Sequence, residues 1–289
     1  MFSFGTKAYR NVENEMTELV VRRLLIDLTQ PFERHWNGGD AFRTAFLNAL
    51  SMSFPVGEQF FIDAVRNGVK ALPEAQQERF KEEVAGFIGQ EATHRRIHGL
   101  FNGHLERQGY DNGWERRAKR RIKRLQGLNV RHPLAITAAY EHFTAILAEY
   151  LLQHPDSIGD NVPRLKTMWM WHAAEESEHK STAFDVYQAL GGNHRWRMRW
   201  FRIVTFFFIL DAAMQTISNL RHDRTLFKRS TWKSAMHFLF GEKGLVTLTR
   251  APWRAYKSEH FHPAQQGSTL SSHWLRTHAD QFSVVGQGR

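Results

Sequence analysis

The chain has 289 residues, 42% of them hydrophobic and 13% aromatic, which is enough for one substantial core and too apolar for a disordered chain. It contains no cysteine, so disulfides, thiolate zinc sites, cysteine-ligated clusters and cysteine nucleophiles are excluded, and any metal must be held by His, Asp and Glu. The net charge of +10 is local: seven basic residues between Arg116 and Arg124, with Arg195, Arg197, Arg199 and Arg202, exceed the whole surplus. That distribution points to two docking patches.

Met1 to Lys7 lacks a continuous apolar stretch, which predicts no signal peptide. Helical periodicity then dominates the chain, and strand alternation is hard to find. Asp40 to about Leu72 reads as one long apolar helix, bent near Pro55-Val56-Gly57. Pro73 suits the first turn of a second helix that runs to about Gln108, where Gly109 and Asp111-Asn112-Gly113 break the pattern. A short basic helix follows from Trp114 to Gln126. His132-Pro133 opens a third long helix ending near His154-Pro155, and Val162-Pro163 opens a fourth that Gly191-Gly192 ends.

From about Arg195 an aromatic helix runs toward Leu220, shorter helices fill Thr231 to Tyr256, and the tail beyond His262-Pro263 reads as loop. The longest apolar run, Ile203 to Ala213, has 11 residues and includes Thr205 and Asp211, short of the roughly 20 of an ordinary spanning helix. The expected fold is all-α. Residues 1–192 would form a helical bundle with a long crossover, and residues 193–289 a helical extension packed on it.

The carboxylates fall on the apolar faces of four of these helices. On the second, the stripe Val84, Phe87/Ile88 continues through Glu91, His94, His98 and Phe101 in steps of three and four. On the fourth, His172, Glu176 and His179 lie within about 60° of one another at 100° per residue. Glu178 points to the opposite side, and Glu175 sits at the edge. Glu141 lies on the core stripe of the third helix, and Glu58 lies between Phe54 and Phe61 on the first. Ionised carboxylates converging in one core need a shared counter-charge, which two divalent metals would supply.

The order Glu58, Glu91-x-x-His94, Glu141, Glu176-x-x-His179 resembles the site of ferritin-like di-metal carboxylate bundles. Intervals of 33 residues (58 to 91) and 35 (141 to 176) make each pair a hairpin, and the 50 between 91 and 141 leave room for a long crossover. The bland alternative is acids on partly exposed faces beside satisfied core histidines. His172 gives His172-x-x-x-Glu176-x-x-His179, similar to the arylamine N-oxygenase branch, where an added His completes a seven-ligand site. That resemblance implies a metal site of Glu58, Glu91, His94, Glu141, His172, Glu176 and His179. Otherwise His172 orients Glu176 or Glu141 from outside. His98 reads as packing or support.

Over most of its length the chain also resembles the bacterial family labelled predicted metal-dependent hydrolases, chiefly through His172 to Lys180 and Phe261-His262-Pro263. The label implies hydrolysis, whereas the resemblance to the di-iron bundles implies two iron ions, dioxygen and an external electron donor, with manganese or zinc also tolerated by these ligands. The first expectation is therefore a di-iron oxidoreductase oxygenating or desaturating an organic, lipidic or amine substrate. Metal-dependent hydrolysis is the alternative, followed by iron oxidation and storage, or a non-enzymatic membrane-associated role. Phe87, Met168 and Trp169 would keep water from the site.

Trp114, Ala118, Ile122 and Leu125 make the basic helix amphipathic, suited either to an anionic membrane or to packing on the bundle with a solvated basic face. No nucleic-acid recognition motif accompanies the charge. Arg195 to Arg202, followed by Phe206 to Leu210, is expected to meet lipid, a second subunit or the active site as a lid. Further expectations are a small-molecule or acyl-lipid substrate, an electron-donor protein, a homodimer, and a cytoplasmic location peripheral to the inner membrane.

Overall fold

The computed structural model describes residues 19–266 and 269–286. The signal-peptide reading of Met1 to Lys7 lies outside them. Four helices form a bundle: α1 (Ala41–Lys70), α2 (Glu74–Arg107), α4 (Arg131–Gln153) and α5 (Pro163–His179), with α3 (Gly113–Lys123) in the crossover between α2 and α4. α1 pairs with α2 and α4 with α5, and α1 also lies against α4. These are the two expected hairpins.

The first helix begins where Asp40 accepts a hydrogen bond from the Arg43 amide, an N-cap that satisfies one free donor. Pro55 sits inside α1 without ending it. Proline has no N–H, so the carbonyl four residues back, on Ser51, loses its helical partner. Asn102 on α2 replaces it, its Nδ2 donating to Ser51 O at 2.8 Å. Nearby, Asn112 Nδ2 donates to Met52 O at 2.9 Å. The proline thus becomes a point of attachment between helices one turn before Glu58.

The fourth helix differs from expectation. It stops at His179 and restarts as α6 (Thr182–Ala189) after Lys180-Ser181. Lys180 Nζ donates to Gln266 O across that break, and α6 continues along α4 and α1.

Beyond the bundle run α7 (His194–His222), α8 (Arg229–Phe240) and α9 (Leu245–Ala255). α7 packs along α1 and α4, α8 on α1, and α9 on α4. An 18-residue window of α7 has a mean hydropathy of 1.5, long and apolar enough to cross a membrane by length and composition. An averaging window tolerates the Thr205 and Asp211 that interrupt the 11-residue run. In the fold, 39% of that window is buried within the protein.

Arg197, grouped in the sequence with surface anchors, points inward. It is held among the rings of Phe184, Tyr256 and Phe261 and donates to the carbonyls of Ser258 and Phe261. Together with a 2.7 Å contact from His262 Nε2 to Asp185, this pins Phe261-His262-Pro263 onto α6.

The tail read as loop contains α10 (Leu270–Thr277), packed on α5 and α4, and a strand, β2 (Phe282–Val284). β2 pairs antiparallel with β1 (Arg22–Leu24), Arg22 facing Val284 and Leu24 facing Phe282. Strands of three residues are too short for alternation to register. The segment entering β1 lies flat on α2 because two glycines face it. A Cβ on Gly86 would come within 2.6 Å of Leu19 O, and one on Gly89 within 2.3 Å of Val21 Cγ2.

Candidate metal centre

All seven expected ligands converge in the middle of the bundle, and all are buried. Glu58 comes from α1, Glu91 and His94 from α2, Glu141 from α4, and His172, Glu176 and His179 from α5. They form three overlapping groups, Glu58/His94/His172, His94/Glu176/His179 and Glu91/Glu141/His179, with one ligand atom from each residue of a group within 4.8 Å of the others. Glu176 joins the two ends. Its Oε1 lies 2.8 Å from His172 Nε2, 3.3 Å from His94 Nδ1 and 3.7 Å from His179 Nε2. At the far end, His179 Nε2 is 3.4 Å from Glu91 and 3.5 Å from Glu141.

Each histidine is held by a partner on one nitrogen and presents the other to the centre. His94 Nε2 lies 2.9 Å from Glu175 Oε2, leaving Nδ1 inward. His179 Nδ1 donates to Gln90 Oε1 at 2.8 Å, and Gln90 is itself fixed by donating to Val20 O and Glu178. His172 is set by a longer chain. Ser51 Oγ–H donates to Asn102 Oδ1, so it accepts from His98 Nδ1–H at 2.8 Å. His98 Nε2 is then an acceptor, and His172 Nδ1–H donates to it at 2.6 Å. The remaining lone pair, on His172 Nε2, faces Glu176 and Glu58. Both nitrogens of His98 are engaged, so it supports rather than ligates.

Glu175 and Arg22 are functional residues that helical periodicity missed. Glu175 is fully buried between His94 and Arg22, and Arg22 also grips Glu178 at 2.7 Å. Glu178, a quarter exposed, is therefore tied to the centre's periphery. Arg22 arrives from β1, so only the pairing of chain ends could have revealed it.

Burial and mutual proximity shift the protein's own groups at this site strongly. Burial raises Glu58 and Glu141 well above the usual carboxylate range, reinforced by neighbouring acids, and raises Glu91 as well. Burial alone would raise Glu176 too, but His179, with His94, outweighs it and holds it well below. Burial pushes His94 down, yet the neighbouring carboxylates of Glu175 and Glu176 carry it to about 9. His179 is likewise raised, its carboxylate neighbours overcoming burial. Burial and the nearby His94 push His172 down to about 4, and burial with His172 holds His98 well below its ordinary value.

Both oxygens of Glu58, Glu91 and Glu141, with Glu176 Oε2, His94 Nδ1 and His179 Nε2, are buried without a hydrogen-bond partner. Each such atom costs about 1–3 kcal/mol, so nine together rival the stability of a whole domain. Two divalent cations would satisfy them and balance four carboxylates. The donor set is all imidazole and carboxylate, which suits zinc, manganese or iron.

A family model described as predicted metal-dependent hydrolase matches residues 20–267. The chain belongs to that family. No curated protein and no solved structure matches it. The matched span takes in every one of the seven converging residues, together with Arg22, Gln90 and Glu175 that hold them.

Proposed function

We propose that the protein is a hydrolase working through two divalent metals held by Glu58, Glu91, His94, Glu141, His172, Glu176 and His179. The nine orphaned buried atoms carry this reading, and the family description favours hydrolysis as the reaction. Bound there, the metals supply Lewis acidity and a water acidified toward neutrality.

The chain's own part is orientation and enclosure. Arg22 and Glu175 fix His94, Gln90 fixes His179, and the Ser51–His98 chain fixes His172, so three nitrogen donors are aimed before a metal arrives. Phe54, Phe87 and Trp169 wall the site, with Phe54 and Phe87 edge-on to His172 and His179. Against His172 and Glu176 lies a pocket of about 20 Å³, room for about one water.

A second reading is reductive dioxygen chemistry at two irons. The inward-facing His172 Nε2, added to two Glu-x-x-His pairs in a ferritin-like arrangement, favours it. Metal analysis of the purified protein, followed by ester and phosphoester turnover without oxygen or reductant, separates the two. Hydrolysis under those conditions with zinc or manganese bound supports the first reading. Two irons per chain, no hydrolysis and an absorbance transient when the ferrous protein meets dioxygen would overturn it for the second.

A further inference from the structure

A cavity of about 280 Å³ lies between α1, α3, α4 and α7, near the lower end of the roughly 300–1,000 Å³ typical of small-molecule sites. Its walls are apolar: Phe60 and Phe61 from α1, Ile136 and Phe143 from α4, Val204 and Phe207 from α7. No aspartate or glutamate lines it. The only charged groups are Arg121 and Arg124, both from the basic crossover helix and its end. Arg121 is committed to Asp211 and stacked over Phe207. Arg124 is exposed and has no acidic partner among the described residues.

The inner end leads to the metal centre. Phe54, Thr144 and Leu147 line both this cavity and the small pocket against His172 and Glu176. Phe54 is the partition, its ring 4.8 Å from that of His172 and 4.6 Å from that of His98.

We propose that this cavity binds one hydrocarbon chain with an anionic head, the head at Arg124 and the chain passing inward to Phe54. The inference deepens the hydrolytic reading, naming the substrate class for that centre. Charge selects the head, since Arg124, with no acid facing it from the cavity walls, repels a cationic amphiphile, and the apolar walls select the chain. Five of the seven basic residues between Arg116 and Arg124 thereby acquire a role: Arg117 and Arg121 clamp Asp211, Arg116 and Lys119 pair locally with Asp111 and Glu115, and Arg124 is left for a ligand.

The test is calorimetric titration of metal-free protein with octanoate, decanoate, dodecanoate and dodecyltrimethylammonium, each below its micelle concentration. Affinity should rise by up to about fourfold per methylene, the gain from burying each one, and the carboxylate should bind at least tenfold tighter than the ammonium. Ala118→Trp, which fills the cavity from α3, should weaken dodecanoate at least tenfold. Arg124→Glu, at an exposed position where folding is not at stake, should remove the preference for the carboxylate. Phosphatidylglycerol vesicles distinguish the source of the chain. Vesicles that carry the protein down and release it to dodecanoate make the bilayer the source; protein left in solution that still binds dodecanoate makes it a free amphiphile, and either result supports the site. Absence of saturable dodecanoate binding, or binding that neither variant changes, overturns it. Because no metal is present, chain binding without later ester hydrolysis would sink only the hydrolytic reading, whereas hydrolysis indifferent to chain length would sink only this one.

Discussion

Removing the metals should make stability depend on pH in a defined direction. In the metal-free fold His94 is raised to about 9 and His179 is raised too, so both hold protons that the unfolded chain releases above about 6.5. A raised histidine stabilises fully below its unfolded value, and that contribution is lost as pH climbs through the folded one. Metal-free protein should therefore weaken from pH 6.5 to 9, by up to about 1.4 kcal/mol per pH unit for each proton involved. The buried carboxylates raised in the same site, Glu58, Glu91 and Glu141, act with the same sign, their contribution present at low pH and lost as pH rises. Glu176 and His172 are depressed and act oppositely, but on the acid side. Metals displace these protons, so their affinity should rise over the interval in which the metal-free fold weakens. At a free metal concentration one hundred times the dissociation constant, binding adds about 2.7 kcal/mol. Thermal melts of chelated and reloaded protein at pH 6.5, 7.5 and 8.5 should show a gap in Tm that widens with pH. A constant or narrowing gap would refute the assignment of these groups to a shared cation site.

Other consequences follow from the surroundings of the centre. Arg22→Gln or Glu175→Gln, which frees His94 without touching a ligand, should cost about 10–100-fold in metal affinity by chelator competition; unchanged affinity would remove both from the site. Gly86→Ala should push the Leu19 segment off α2, carrying Arg22 away from Glu175, and show the same loss of affinity more weakly. Asn102→Ala leaves the Ser51 carbonyl without its partner and the Ser51 hydroxyl without an acceptor, so denaturant unfolding should report a loss of about 1–3 kcal/mol. On α7, Phe206→Ser with Ile209→Ser, both at positions 62% exposed, should abolish any sedimentation with anionic vesicles while leaving Tm unchanged.

The convergence of the seven residues was legible because burial and charge conflict at those positions. An acid on an apolar stripe is costly wherever it occurs, and four of them at hairpin spacing leave few explanations other than metal. Pro73, Gly109 and Gly191-Gly192 punctuate the helices as local chemistry demands, and Gly109 and Gly191 do take positive φ angles. What the sequence could not show is contact between distant segments. Arg22 reaches Glu175 across 153 residues, and the β1–β2 pairing that positions it joins the two ends of the described chain. Glu175 and Glu178 looked peripheral by helical angle because the angle is silent about a strand laid along the bundle's flank. The break after His179 was equally hidden, since the apolar stripe runs through it in register.

The supports around the three histidines divide the centre into unequal halves. His179, beside Glu91 and Glu141, is closed in by Phe87 and held by Gln90, which is itself tied to Val20 and Glu178. His172 and Glu176, by contrast, line the small pocket that shares Phe54 with the large cavity. A substrate arriving through that cavity meets the His172 half first. Phe54→Leu should therefore change the rate and chain-length preference of any reaction at the centre while leaving metal stoichiometry at two, because it alters the partition and none of the ligands. Loss of one metal in that variant would mean that Phe54 shapes the centre itself, and entry from the cavity would no longer follow. His98 supplies the complementary case: His98→Phe keeps the ring but cannot accept from His172 Nδ1, so it should weaken the metal nearest the pocket selectively, readable as two unequal steps in chelator titration where the parent protein shows closer ones.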